Sequence, residues 1–503
     1  MKIKGLRWVI LGLIVLITII NYLDRGTLNY MWITNTKIQY TLQRNIASNN
    51  PVPFAVFLPA ESKYLLFEKD GSSKKVDKDF VLVKADQSVS TIEYIKKSGI
   101  AIDLGLVNAK ASPSDIAKES KKILSYITMF FMFAYGFSQL VSGKIYDKIG
   151  TRKGFTFSVI IWGMADMLTS FAGGIGSLCS FRALLGLGEA GPWPGVVKSN
   201  AEWFPVKERA FAQGFFGAGG SIGSILSPII ISMLYIYFGW KNTFIVVGSL
   251  GIIWLIPWLI FNKTTPDKHP WITEKERAHI LDGLEVKTQS DSIENKAKSW
   301  GELLRNRNSY AIILGRLFLD PVWWMFVTWL PIYLSEVFKL DIKQIAFSAW
   351  VPYVGAAIGA ITGGWFSGYI IKRSKSVLQA RKIAILIGAA IILPAMVAAA
   401  YASTALSAVI IMAFILGGFQ FSIVNIQTLA SDFHTGKTVG SLAGLGGCAA
   451  VLGTIITSFL VPYITNNGNW FLFFAMGAIM VPLSVAAVLI FGVDKKGIQL
   501  VTV

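Results

Sequence analysis

The sequence predicts an all-α membrane protein: twelve transmembrane helices in two six-helix halves, with a small α/β insert between the first and second. Three observations carry this reading. Of 503 residues, 53% are hydrophobic and 15% charged, and the mean hydropathy is +0.55. A water-soluble chain of this size has too little polar surface to hide so much apolar area, whereas helices facing lipid need not hide it. Twelve stretches reach the roughly 20 apolar residues that a bilayer core requires. Finally, the basic residues crowd one set of the connections between those stretches.

The spans fall approximately at 8–32, 123–146, 154–173, 176–202, 208–232, 241–261, 309–338, 343–371, 383–402, 405–432, 438–464 and 469–493. They group six and six around a polar connection, 262–308, which has no apolar run long enough to cross. The implied organisation is 1–35 for the first helix, 36–120 for an insert, 121–261 for the rest of the first bundle, 262–308 for a cytoplasmic linker and 309–503 for the second bundle. The start of the chain mimics a signal peptide, with basic residues ahead of the apolar run Trp8–Leu23. It has no small-residue cleavage site and runs into Asp24-Arg25, so it reads as a retained first span.

The net charge of +18 is a topology signal. Nine Lys and Arg lie in 262–308 and five in 372–382, whereas the opposite connections, the insert aside, hold Lys241, Lys339 and Lys343. This asymmetry predicts both termini in the cytoplasm, in a bacterial-type inner (plasma) membrane, and it disfavours nucleic acid as a partner. Cys179 and Cys448 sit in apolar stretches and read as small buried hydrophobes. His269, His279 and His434 fall in connecting segments without metal-ligand spacing, so no metal is expected.

Residues 35–120 carry 12 Lys and Arg and 10 Asp and Glu. Loops this long translocate regardless of charge, so the segment leaves the topology intact. Tyr64–Phe67 and Phe80–Val83 resemble the arms of a hairpin, Thr91–Lys97 looks helical, and Ser112-Pro113-Ser114-Asp115 looks like a helix start. A small extracytoplasmic α/β domain is expected, with a disordered spacer as the alternative.

Ionisable residues inside a span cost about 2.5–3.5 kcal/mol on insertion scales, so each implies a partner or a function. Seven stand inside spans: Asp24, Arg25, Asp166, Arg182, Glu189, Arg316 and Asp320. Arg182 and Glu189, seven apart, share a helix face about 10.5 Å apart along the axis. Two guanidiniums near two carboxylates can hold an anion bidentately and pair internally when it leaves. A static ion pair is the alternative. With no histidine in a span, a transported proton would have to ride a carboxylate, and Glu189 is the first candidate. Arg316 and Asp320 have the i, i+4 spacing of an intrahelical pair, favoured here as structural. Asp166 has no evident partner. Trp323, Trp324, Trp350, Tyr353, Gln420, Asn425 and Gln427 are candidate cavity residues of the second half. The glycines around Gly186–Gly191 and Gly217–Gly223 permit close helix packing.

The connection after the second span reads Gly143-x-x-x-Asp147-x-x-Gly150-x-Arg152-Lys153. It matches the GxxxDxxGxRK signature of the major facilitator superfamily, in which the aspartate at a helix end latches a gate. Gly364 to Arg373 resembles a degenerate copy lacking the acid, as an internal repeat would. Arg182-x-x-x-Gly186-x-Gly188 is similar to a further motif of that superfamily. Asn21-Tyr-Leu-Asp-Arg25, Glu189-Ala-Gly-Pro-Trp-Pro194 and Glu202-Trp-Phe-Pro-Val-Lys-Glu-Arg209 resemble its anion–cation symporter branch. Lys4–Trp8, Arg305–Asn308 and Phe347–Pro352 look like hexuronate transporters. The resemblance covers nearly the whole chain outside residues 36–115. It implies the major facilitator fold and proton-coupled uptake of a sugar acid such as glucuronate or galacturonate. Tyr22, Arg25, Tyr135 and Arg182 match substrate-site positions of sugar-acid members, and Asp24 and Glu189 match their proton-coupling carboxylates. Gly220, Gln427 and Gly447 depart from what a galactonate-type member would have.

The expected function is therefore a secondary symporter of an organic anion, not an enzyme, without cofactor and driven by a proton gradient. Its partners are the small anion, protons and the lipid bilayer, and a monomer is expected. No GxxxxGK[ST] loop suggests ATP drive. A transporter-fold nutrient sensor and a proton-independent anion exchanger are the competing readings.

Overall fold

The computed structural model describes residues 2–32, 34–42, 54–58, 63–67, 73–77, 81–85, 90–108, 113–285, 298–338, 340, 348–373, 376–434, 436–465 and 470–493. Two compact units emerge: Leu28–Ser125 with Gly173–Ile175, and Met1–Thr27 with Tyr126–Ala172 and Gly176–Val503. In chain order the helices are α1 (Leu6–Met31), α2 (Ile100–Asp103), α3 (Pro113–Thr169), α4 (Ile175–Ala190), α5 (Pro192–Trp203), α6 (Val206–Phe261) and α7 (Glu274–Glu285). There follow α8 (Trp300–Arg305), α9 (Arg307–Phe338), α10 (Val351–Ile371), α11 (Val377–Ala400), α12 (Ala405–Phe433), α13 (Val439–Ile464) and α14 (Phe471–Phe491).

Among the described residues, nine helices are long and apolar enough to cross a membrane. Two of them are far longer than one crossing needs: α3 has 57 residues and α6 has 56, against about 20. Each is broken once by a left-handed glycine, Gly150 (φ 83°) in α3 and Gly239 (φ 71°) in α6. A side chain at such a φ is strained, so glycine lets the chain reverse there. α4 and α5, of 16 and 12 residues, meet at Gly191 and Pro192, where a proline at the first helical position costs no hydrogen bond.

Within the larger unit, one apolar core is built mainly from α1, α3, α5 and α6, and another mainly from α9 to α14. Small residues set the closest helix contacts. Gly355, Gly359 and Gly363 on α10 pack against the backbone of Ala413, Gly417 and Phe421 on α12, so that a side chain at any of them would collide. This stripe of three glycines, four residues apart, is the packing device expected where lipid supplies no hydrophobic drive between helices. Large apolar side chains such as Phe133, Phe137, Tyr237, Leu406 and Tyr463 point outward, more than 60% exposed, as lipid-facing residues do.

Helix ends are capped across the fold. Glu276 of α7 accepts hydrogen bonds from the amides of Gly5 (2.9 Å), Leu6 (3.1 Å) and Arg7 (3.1 Å) at the start of α1. Those amides have no intrahelical partner, and negative charge suits that end of the helix dipole. Part of the polar connection is thus an anchored helix; residues 286–297 lie outside the description.

The smaller unit contains six strands: β1 (Thr34–Leu42), β2 (Phe54–Leu58), β3 (Lys63–Phe67), β4 (Ser73–Asp77), β5 (Val81–Ala85) and β6 (Ser90–Ser98). They form two antiparallel sheets, ordered β1-β6-β5 and β2-β3-β4. β1 and β6 pair over nine residues, from Thr34 opposite Ser98 to Leu42 opposite Ser90, so the segment leaves beside where it enters. Trp32 ties the two flanking helices: its indole N–H donates to Ser120 Oγ (2.9 Å) and O (3.2 Å).

Two expectations for this segment are corrected. Tyr64–Phe67 does form a hairpin arm, but its partners are β2 and β4, while Val81–Val83 pairs with β6. Thr91–Lys97 is extended, not helical. Its Thr, Ile and Tyr residues favour a strand, and pairing on both edges makes β6 the centre of its sheet. The helix start holds to the residue, with α3 beginning at Pro113; Ser112 and Phe80 lie outside the described residues, as does Phe347.

Candidate functional site

A cavity open to solvent lies between the two apolar cores. Both halves line it: Tyr22 and Arg25 of α1, Tyr135 and Gln139 of α3, Trp193 of α5 and the glycine stretch of α6 face Arg316, Asp320, Trp323 and Trp324 of α9, Gln420 and Gln427 of α12, and Gly447 of α13. Its aromatic walls with a few convergent polar groups suit a small polar ligand.

Arg25 is the key polar group of the first half. Its Nε and Nη2 donate to Glu189 Oε2 at 3.0 and 2.9 Å, and Nη2 reaches Asn21 Oδ1 at 3.4 Å. Four rings surround the guanidinium, with centroids 5.2 Å (Tyr135), 5.3 Å (Tyr22), 5.7 Å (Phe131) and 5.8 Å (Trp324) away. Such a cage holds a planar cation in place while leaving it on the cavity wall. Glu189 lies behind it, fully buried, with Oε1 making no hydrogen bond. Across the cavity, Arg316 forks onto Asp320 (Nη2–Oδ1 3.0 Å, Nε–Oδ2 3.2 Å). The intrahelical pair is as the spacing predicts, and it also lines the cavity, which the spacing alone did not indicate.

The other expected site residues divide. Tyr22, Tyr135 and Gln420 are on the wall. Asn425 is not: its amide N donates to the backbone oxygens of Phe421 (2.8 Å) and Gly363 (3.2 Å), so it serves the α10–α12 contact. Trp350 is half exposed, away from the cavity, and Tyr353 packs edge-on against Trp323. Arg182, expected to meet a ligand, is also absent from the wall. It is 4% exposed, with its guanidinium over the Phe244 ring at 5.7 Å and the charges of Asp166, Glu189 and Asp24 around it. Its seven-residue spacing to Glu189 places both on one face of α4, but the direct ion pair of Glu189 is with Arg25. Asp24 and Asp166, both fully buried, complete this inner cluster.

Gly220, Gln427 and Gly447, the three departures noted in the sequence, all line the cavity. A side chain at Gly220 would meet the Tyr22 ring, and one at Gly447 would displace the Gln139 amide. Gln427 accepts from Gln213 (2.7 Å), which in turn accepts from Asn200 (2.9 Å), so a fixed amide chain runs into the wall.

One end of the bundle is closed by the signature motif. Gly143 lets α3 touch the backbone of Gly440. Asp147 caps the start of α13, accepting from Gly440 N (3.0 Å), Ser441 N (2.6 Å) and Ser441 Oγ (2.7 Å). Lys198 lies 3.4 Å from the same carboxylate and 3.5 Å from Glu202. Gly150 makes the reversal, and Arg152 donates to the carbonyl of Leu259 in the last turn of α6 (3.1 Å) and to that of Lys263 just beyond it (3.3 Å). Lys153 is exposed. In the second half, Gly364 packs on Ala210 as Gly143 does on Gly440. The charge work falls there to Arg381, which donates to Asp432 (2.9 Å), Ser367 Oγ (2.7 Å) and Val206 O (3.2 Å), and to Arg209, which donates to Ser431 O (2.8 Å). The sequence reading missed Lys198, Arg209, Arg381 and Asp432 because they lie near span ends, where charge is ordinary.

Comparison with known proteins agrees with this architecture. Residues 98–445 match the Major Facilitator Superfamily. The hexuronate transporter of Escherichia coli K12 is 31% identical over 359 residues, covering 71% of this chain and 82% of that protein. The galacturonate transporter of Dickeya chrysanthemi is 33% identical over 266 residues, 53% of this chain and 76% of the relative. The probable galactarate/D-glucarate transporter of E. coli K12 is 27% identical over 417 residues, 79% and 90%. With the signature motif, the bundle and these matches together, the chain belongs to the major facilitator superfamily and is a multi-pass membrane transporter, not an enzyme.

Proposed function

We propose that this protein is a secondary active transporter that takes up an organic anion, a hexuronate or related sugar acid, together with protons. The observation that carries the proposal is Arg25: a caged guanidinium on the wall of a cavity shared by both halves, paired with a buried carboxylate that an incoming anion can replace. The names of the relatives point to sugar acids, and the aromatic and amide groups of the wall suit a hydroxylated ring. Among the expected binding residues, Tyr22, Arg25, Tyr135 and Gln420, which line the cavity, are the proposed substrate contacts. Arg182 is reassigned to holding the buried carboxyls, and Glu189 and Asp24 are the proposed proton carriers.

The proposal includes a membrane path of twelve passes. α3 and α6, each divided at its left-handed glycine, supply two passes apiece, and α4 with α5 supplies one, giving twelve in two halves of six. The domain boundaries expected from the sequence, with an extracytoplasmic insert, are kept as part of this proposal. Both termini lie in the cytoplasm of an inner membrane by the basic-residue asymmetry. On that orientation the Asp147 closure is the cytoplasmic gate, shut in this conformation.

The test is uptake into proteoliposomes, with and without an imposed pH gradient, over a panel of glucuronate, galacturonate, galactarate and galactonate. Accumulation of a hexuronate that requires the gradient is the expected result. Exchange indifferent to the gradient supports an anion exchanger instead, and no transport of any sugar acid overturns the substrate class.

A second expectation concerns the insert. Since Thr34 pairs with Ser98, replacing residues 36–96 by a short Gly/Ser turn leaves the ends of the helices joined. The shortened protein is expected to transport within about 2-fold of the parent, because a bridge this short adds little closure entropy. Normal insertion with no uptake would make the insert part of the transport cycle.

A further inference from the structure

Asp166 has no role in the function proposed so far, yet it is fully buried on α3, and its two oxygens make no well-directed hydrogen bond. The same holds for Asp24 on α1. The two carboxyls are near enough to act on each other's charge, with Trp162 beside Asp24. The charged groups facing the pair are Arg182 and Glu189 of α4. Arg25 of α1 is committed to Glu189, Tyr22 and Tyr135 lie beside Arg25, and α6 places the Phe244 ring under Arg182.

A charge count decides what this cluster holds. Three carboxyls and two guanidiniums leave one uncompensated negative charge in a water-excluded place, where an unpaired ion costs several kcal/mol. Two neighbouring carboxylates, both fully buried, are not both ionised; they share a proton, as acid pairs in low dielectric do. Arg25 satisfies Glu189, so the shared proton belongs to Asp24 and Asp166.

We propose that Asp166 and Asp24 form a proton-sharing carboxyl pair, a second protonation site of the transport cycle that supplies Glu189 when the substrate anion takes Arg25. This rests on the proton-coupled reading above. In the step, the anion binds Arg25 and frees Glu189 from it. The O–H bond on the pair breaks, leaving its electrons on the carboxylate oxygen, and the proton bonds to a Glu189 oxygen. A proton from the outer solution refills the pair. The loaded carrier then holds two protons and the empty one a single proton, so one proton accompanies each monoanion. Arg182 facing both carboxyls steadies the pair while it is briefly doubly charged.

The experiment compares the parent with Asp166→Asn and Asp166→Glu in proteoliposomes, using as substrate whichever sugar acid the parent accumulates. Gradient-driven accumulation, its dependence on outer pH and substrate exchange without a gradient are read side by side. Asp166→Asn is expected to lower the ratio of accumulation to exchange at least ~10-fold and to flatten the pH profile, while Asp166→Glu, which restores a titratable group, restores the profile. A parent-like profile and accumulation in Asp166→Asn overturn the proposal. So does an equal loss of exchange and accumulation in both variants, the mark of a purely structural residue. If the parent itself accumulates nothing under a gradient, the proton-coupled reading fails first, and the two failures are thereby told apart.

Discussion

Arg25→Lys is expected to reduce substrate affinity about 10-fold or more, with the protein inserted and folded as before. The substitution keeps the charge, so a result near the parent's would show that charge alone suffices. The geometry argues otherwise. The guanidinium lies within 5.2–5.8 Å of four ring centroids while two of its nitrogens reach Glu189. A lysine ammonium has no planar face to stack and no fork to engage a carboxylate in two places. Losing one charge-assisted hydrogen bond costs about 1.5–3 kcal/mol, and 1.4 kcal/mol is tenfold in affinity. Arg182→Lys is the informative control. That side chain is off the cavity wall, so its loss is expected to damage coupling more than affinity. Equilibrium binding of a labelled sugar acid to detergent-purified protein separates the two. A larger affinity loss in Arg182→Lys than in Arg25→Lys would return the main counter-charge to α4.

Much of the fold was legible because lipid imposes a coarse rule: a span must be apolar over about 20 residues whatever its packing. The left-handed reversals at Gly150 and Gly239 fall in short connections between predicted spans, as that rule requires. The insert followed no such rule. Thr91–Lys97 carries apolar residues at a spacing compatible with either period, and its state was decided by partners distant in sequence, the nine residues of β1 and the five of β5. The site was legible in part for a similar reason. A charge within a span is conspicuous, so every ionisable member of the inner cluster was found. Which way each one faces depends on helix rotation, which composition does not fix. Arg182 thus turned inward to Asp166, and Arg316 with Asp320 turned into the cavity. Asn425 shows the remaining gap: an amide in a span reads as a ligand contact, and here the close approach of glycine-lined helices gave it two carbonyls instead.

Glu189→Gln is expected to abolish uphill accumulation while leaving exchange of internal for external substrate. The side chain is fully buried, and its one ion pair is with Arg25, through Oε2 at 2.9 Å. Glutamine keeps the shape and an oxygen acceptor for Arg25 but carries no charge, so it resembles the protonated glutamate of the loaded carrier. In the empty variant Arg25 has lost its counter-ion. A buried charge left unpaired costs about 3–5 kcal/mol, and a substrate carboxylate relieves that cost by taking the vacant place. Apparent affinity is therefore expected to rise, by about tenfold if only 1.4 kcal/mol of that penalty is recovered. The same preference holds the carrier with its anion bound, so the empty form needed to return across the membrane becomes rare. Exchange never requires that form and continues. Accumulation does require it, and it also requires a proton to leave position 189, which glutamine has none to give. The measurement is the steady-state ratio of internal to external substrate under a fixed pH gradient, taken beside counterflow at equal pH. A Glu189→Gln protein that concentrates substrate as the parent does would show that the transported proton travels by a route that avoids Glu189.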